Sequence, residues 1–249
     1  MTKELEFLIN VVKDASKLIT DDFEVKAKDD KGDLVTNFDY EVEKFISDKI
    51  KAEYPDFAIV SEEFNSSNKL TDNCFTIDPI DGTVNFAHGV PLWAIQTACI
   101  KNGETCAAVI YIPKLDELYY ADENGAYLNG EKIHVNDKTP DKGLYIIEGP
   151  GNMQGEYKMK SINRHYRDFH CTAIDFAWCA VGRISAVNFV WESYWDYIPG
   201  MYLVKQAGGV TYNAYNMHIA CNNKEFLDIM INNSSVEENV KIELVRNRN

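Results

Sequence analysis

No run in this 249-residue chain is long and apolar enough to cross a bilayer as a helix. The opening Met1-Thr2-Lys3-Glu4 leads into a mixed amphipathic pattern rather than the unbroken apolar core of a secretory signal. Cys74, Cys99, Cys106, Cys171, Cys179 and Cys221 form no C-x-x-C pair, which removes the usual zinc and dithiol motifs. Most lie among apolar residues, as reduced thiols do in a reducing compartment. The five histidines show no ligand spacing, and neither a P-loop nor a G-x-G-x-x-G is present, so nucleotide enzymes of those kinds are excluded. Positive charge is scarce, with 25 Lys and Arg against 39 Asp and Glu for a formal net charge of -14. Such a surface offers no basic face to a nucleic-acid backbone. There is no Pro/Gly/Ser-rich linker and no repeat, so residues 1–249 are expected to fold as one domain, in the cytoplasm, with neither membrane nor nucleic acid as partner.

What the chain does have is concentrated in Phe75-Thr76-Ile77-Asp78-Pro79-Ile80-Asp81-Gly82-Thr83. Phe75 to Ile77 reads as a short buried strand that Pro79 stops, which leaves Asp78 and Asp81 where the chain leaves the sheet. Hard cations such as Mg²⁺ take oxygen ligands of this kind and keep positions open for phosphate. Gly82 permits close backbone approach to an anion, and the N–H groups after it can cradle phosphate oxygens. A net-negative protein that handles an anionic substrate needs a local reversal of sign, which bound metal supplies.

The spacing differs from the haloacid-dehalogenase motif, whose two aspartates are one residue apart. It resembles the inositol monophosphatase family, whose D-P-I-D-G-T-x-N-F-x-H-G is matched from Asp78 through Asn85, Phe86, His88 and Gly89. Asp33-Leu34-Val35-Thr36-Asn37-Phe38-Asp39 is similar to the family's D-L-V-T-x-x-D, and Ser61-Glu62-Glu63 to its G-E-E. Trp195-Asp196, Gly200 and Ala207-Gly208-Gly209 resemble its second signature. The resemblance runs from about Lys28 to Gly209. It implies a layered αβαβα fold, a homodimer, and Mg²⁺-dependent, Li⁺-sensitive hydrolysis of a small phosphate monoester, with two or three metal ions per site. It further implies that Asp78 bridges two metals, that Glu62 and the Ile80 carbonyl complete one, and that Asp81 and Asp196 complete the other. Thr83, with Asp39 or Glu62 behind it, would orient the attacking water; Gly82 and Thr83 would hold phosphate, Glu63 would back Glu62, and Lys28 would steady the network.

Substrate recognition departs from the family pattern. The family's G-T/S-A turn reads Cys171-Thr172-Ala173, and Phe189 stands where a glutamate seven residues before the W-D aspartate reaches polyol hydroxyls. With Asp81 and Asp196, these residues are the expected substrate contacts. An aromatic at 189 argues away from inositol and toward a sugar phosphate, a sugar bisphosphate or a nucleotide-derived phosphate. A homologue that binds phosphorylated ligands without turnover is the other reading.

Periodicity predicts a first helix with Leu5, Leu8, Ile9, Val12, Ala15 and Ile19 on one side, and a second capped by Asn37. Strands are expected at 57–60, 94–100, 107–112, 117–121 and 126–128, the last ending in an Asn129-Gly130 hairpin turn. A helix is expected at 173–181, and a last core helix ending at Gly208-Gly209 with Pro199 in its first turn. The aromatic cluster of Trp191, Tyr194 and Trp195 reads as core or as a pocket wall.

Overall fold

A computed structural model describes residues 1–28, 32–148, 157–159, 163, 165–190, 193–214 and 217–236; Trp191 lies outside them. Helix α1 (Lys3–Ser16) starts where the Thr2 side chain accepts from Leu5 N, and it buries Leu5, Leu8, Val11, Val12 and Ala15. Ile19 lies beyond its end. Each such side chain, fully buried, contributes about 1.5–3 kcal/mol. A two-stranded ribbon, β1 (Val25–Ala27) and β2 (Leu34–Thr36), leads into α2 (Asn37–Glu53). The cap of α2 is Thr36, not Asn37: Thr36 N and Oγ1 both donate to Asp39 Oδ2, at 2.7 and 2.6 Å.

Next come β3 (Ala58–Ser61), β4 (Cys74–Asp81), the short α3 (Thr83–Ala87), β5 (Ala94–Lys101), β6 (Glu104–Ile112), β7 (Glu117–Asp122), β8 (Gly125–Leu128) and β9 (Glu131–Lys132). The seven strands form one sheet in sequence order; β3 and β4 are parallel and the rest antiparallel. Asn129 and Gly130, both at positive φ, make the expected turn into β9. A second sheet runs in the order β12 (Tyr166–Arg167), β10 (Tyr145–Glu148), β13 (Ala186–Val190), β15 (Met217–Cys221), β14 (Val210–Ala214). A small pair joins β11 (Tyr157–Met159) to β16 (Ser234–Val236). Helices α4 (Thr172–Ala180) and α5 (Tyr194–Gln206) lie between the two sheets, and α6 (Lys224–Asn233) covers the outer face of the second. The layers are therefore αβαβα. No helix of the described residues is long and apolar enough to cross a membrane.

Strand alternation sorts the cores. On β5, Ile95 and Cys99 face α1 and α2, whereas Ala94 and Ala98 face α4 and α5. Gly200 lets α4 and α5 touch, since a Cβ there would lie 2.4 Å from Phe176 carbons.

Two prolines sit differently from the sequence expectation. Pro199 lies in the second turn of α5, because the helix starts at Tyr194. Pro79 does not stop β4, which runs on to Asp81 through a break in register: Asp78 pairs with Gln96 but Asp81 with Ala94. One extra residue therefore sits in β4, and proline is tolerated there because a bulge frees a ladder N–H. The bulge also has a geometric effect. Positions 78 and 81 would face opposite sides of a regular strand; the inserted residue returns both carboxylates to the α5 side.

Candidate active site

The end of β4 opens into a cleft of about 470 Å³ lined by Asp33, Glu62, Asp78, Ile80, Asp81, Gly82, Thr83, Val84, Asn85, His170 and Asp196. A somewhat larger hollow of about 550 Å³, between the end of α1 and α3, is walled mainly by apolar residues such as Ile19, Phe23, Phe86 and Trp93 and gathers no carboxylate cluster. The chemistry is in the first.

Asp78 is buried, and its Oδ1 has no hydrogen-bond partner. Burial, then the charges of Glu62, Asp81 and Asp196, raise its carboxyl well above the usual range. Asp81 is raised by burial and drawn back by its donors: Ala173 N at 2.5 Å and Thr172 Oγ1 at 2.8 Å, both to Oδ2, with the Cys171 thiol also nearby. The Cys171-Thr172-Ala173 turn thus grips Asp81 from behind; none of its three residues lines the cleft. Glu62 follows β3 and is pushed up to about 7, chiefly by burial, although Lys28 pulls the other way. Lys28 Nζ donates to Glu62 Oε1 at 2.8 Å and Glu63 Oε1 at 2.7 Å. Its own pKa is raised: partial burial lowers it, and the two glutamates more than offset that.

Gly82, in the left-handed region at φ 82°, caps α3, and an added Cβ would meet the Leu92 carbonyl at 3.0 Å. Thr83 Oγ1 lies 2.8 Å from the Ile80 carbonyl and 3.2 Å from Asp39 Oδ1. Asp39 itself is buried and pushed up to about 6 by that burial, against the hydrogen bonds from Thr36. Asp196 repeats the arrangement of Asp39. Each is the third residue of its helix and returns an oxygen to the N-cap backbone, Asp196 Oδ2 accepting from Ser193 N at 2.8 Å.

Phe189 is not part of this site. It points from β13 into the core between α4 and α5, fully buried, with its ring 5.1 Å from Phe176. The expectation that it contacts substrate is corrected: residue 189 falls on the α4 side of the strand, away from the cleft.

Two polar residues that sequence reasoning missed complete the site. Gln96 Nε2 donates to Asp78 Oδ2 at 3.3 Å, Asp81 Oδ2 at 3.2 Å and the Asp196 carbonyl at 3.4 Å. Its signal was an amide inside the apolar run Ala94 to Ile100. Glu43, four residues after Asp39 on one helix face, accepts from Ser61 Oγ at 2.5 Å, Glu63 N at 2.7 Å and Phe64 N at 2.8 Å, and so sets the turn that presents Glu62. Among the described residues no three carboxylate, histidine or cysteine side chains already converge as a metal cage. Yet hard oxygen donors, one of them buried and unpartnered, are the donor set that Mg²⁺ takes.

A layered αβαβα fold with carboxylates, a hydroxyl and a glycine turn at the end of a bulged strand defines a phosphatase of the hydrolase class. The chain belongs to the inositol monophosphatase family, whose model matches residues 1–244. It is 34% identical over 189 residues to a fructose-1,6-bisphosphatase/inositol-1-monophosphatase of Thermotoga maritima, covering 72% of this chain and 70% of the relative. It is 30% identical over 222 residues to Nus factor SuhB of Escherichia coli, covering 83% of each. Among solved structures, the IMPase of Thermotoga maritima superposes with a TM-score of 0.77 at 27% identity, covering 97% of this chain and 98% of that one.

Proposed function

We propose that the protein hydrolyses a phosphate monoester of a polyol or sugar, with magnesium held by Glu62, Asp78, the Ile80 carbonyl, Asp81 and Asp196. The observation that carries this reading is the unpartnered, buried Oδ1 of Asp78 among like charges, which a hard cation would satisfy. Magnesium, when bound, supplies Lewis-acid stabilisation of phosphate charge and lowers the proton affinity of water.

The chain's own residues do the rest. Thr83 orients the attacking water, and Asp39, whose proton affinity lies near neutrality, receives its proton. N–H groups at Gly82 and Thr83 receive phosphate oxygens. Lys28 fixes Glu62 and Glu63, while Thr172 and Ala173 fix Asp81. No covalent intermediate is needed.

With Phe189 in the core, position 189 supplies neither a pocket wall nor the family's polyol-reaching carboxylate, and the case against inositol rests on that missing carboxylate. Inositol monophosphate and sugar bisphosphates both stay candidate substrates, in keeping with the double name of the Thermotoga relative. A nucleotide-derived phosphate is the alternative. The test is phosphate release in Mg²⁺ from inositol 1-phosphate, fructose 1,6-bisphosphate and an adenosine 3′,5′-bisphosphate, with Li⁺ as inhibitor. Turnover of one ester above the rest names the substrate; phosphate binding without turnover of any would assign a ligand-binding homologue. We place the enzyme in the cytoplasm, as one catalytic unit per chain and a homodimer, which light scattering of the purified protein would test.

A further inference from the structure

Gln96 sits in the middle of the carboxylate cluster, and its chemistry there is not that of a ligand. Its side chain is fully buried. Nε2 reaches the Asp78 and Asp81 carboxylates and the Asp196 carbonyl, three acceptors for two protons, while Oε1 has no hydrogen-bond partner. The orientation is dictated by charge, because the flipped amide would turn its oxygen toward two carboxylates.

We propose that the Gln96 amide is a resident stand-in for a cation: it stabilises the carboxylate cluster of the metal-free enzyme and thereby weakens magnesium binding. This rests on the metal reading given above. Two effects of the amide could compete. Holding the carboxylates in place would strengthen metal binding; neutralising part of their field would weaken it. Position is secured without Gln96. Asp81 is gripped by Thr172 and Ala173 at shorter distances than its 3.2 Å contact with the amide, Asp78 is fixed in the sheet, and Asp196 is tied to its own helix cap. What the amide adds is positive dipole: among the described residues it is the one hydrogen-bond donor to the Asp78 carboxylate, and it supplements Thr172 and Ala173 at Asp81. The field effect therefore sets the sign.

The test is Gln96→Met, which keeps the volume and removes the donors. Mg²⁺ alone is titrated calorimetrically into wild type and variant after EDTA treatment, and thermal unfolding is followed with and without Mg²⁺. The expected result is a lower melting temperature in EDTA, a larger rise on adding Mg²⁺, and Mg²⁺ binding tighter by on the order of tenfold, the weight of one net hydrogen bond to charge. A packing role alone would lower stability without tightening Mg²⁺. Unchanged or weaker Mg²⁺ binding in the variant overturns the inference while leaving the metal reading intact. A flat isotherm in both proteins overturns both. If Gln96→Met folds in neither condition, Gln96→Asn, whose shorter amide cannot span all three acceptors, carries the same expectation of tighter binding. Equal or weaker binding there is equally decisive against the proposal.

Discussion

Asp78→Asn should make the metal-free protein more stable while abolishing its activity. The Asp78 and Asp81 Oδ2 atoms share one amide nitrogen at 3.3 and 3.2 Å, so the two charges are close. At roughly 6 Å and an effective dielectric of about 20, two like charges repel by about 3 kcal/mol. Proton uptake by the folded state caps that cost near neutral pH, so the net gain from removing one charge is about 1–3 kcal/mol. For a chain of this size each kcal/mol moves the melting temperature by roughly 2–4 °C, which gives an increase of about 2–12 °C. The measurement is thermal unfolding in EDTA at pH 8, where protonation relieves least. Turnover in Mg²⁺ should fall by about a thousandfold or more in the same preparation, the exchange of stability for function expected where charges are held together for chemistry. A melting temperature that is unchanged or lowered would show that Asp78 holds the fold together rather than straining it, and the cleft would lose its claim to a cation.

Phe189→Glu should fail to fold, since it removes a buried ring worth about 3–5 kcal/mol and leaves a charge without a partner; a well-folded variant by circular dichroism with altered substrate preference would return residue 189 to the pocket. Asp39, pushed up to about 6, and Glu62, up to about 7, bind protons in the folded state that the unfolded chain has already lost. Their contribution therefore falls as pH rises from about 4 through 7, and melting in EDTA should be higher at pH 5.5 than at pH 8, with the slope flattened by Mg²⁺; a steeper slope in Mg²⁺ contradicts this. Thr83→Ala should cut kcat by about a hundredfold with KM little changed, because the hydroxyl acts on water rather than on the ester. Wild-type kcat in that variant would remove Thr83 from the reaction.

The layered fold was legible where local chemistry and tertiary structure agree. Alternation along 94–128 and the Asn129-Gly130 turn foretold the antiparallel meander, and the D-P-I-D-G-T string marked the strand end on which the cleft is built. The misreadings have two causes: long-range pairing overrode a local rule, or one local signal was outranked by a stronger one. Pro79 reads as a strand stop in isolation, but pairing with β5 resumes at Asp81 opposite Ala94 and carries the strand past it as a bulge. Pro199 reads as a helix start, yet the Ser193–Asp196 capping box had already begun α5 one and a half turns earlier. The same S/T-x-x-D pattern at Thr36–Asp39 was there to be read and would have displaced Asn37 as the cap. Gln96 and Glu43 carry no motif, and only the fold shows that their side chains meet three other chain segments. Helix α6 and strands β14 and β15 lie past Gly209, where the anchors of the resemblance end, and β13 carries none of those anchors.

The contribution of α5 to the cleft has a consequence for the order of events during synthesis. Glu62, Asp78 and Asp81 are translated more than a hundred residues before Asp196, and the grip of Thr172 and Ala173 on Asp81 also arrives late. A nascent chain halted before residue 172 would carry β3 to β9 without the Thr172 and Ala173 donors that hold Asp81 and without Asp196 itself. On the metal reading proposed above, phosphate and metal cannot act as early folding templates for this enzyme. Their binding reports that the central helices have docked, so a cation titration on ribosome-bound chains of increasing length should switch on abruptly once α5 clears the exit tunnel, however complete the first sheet already is.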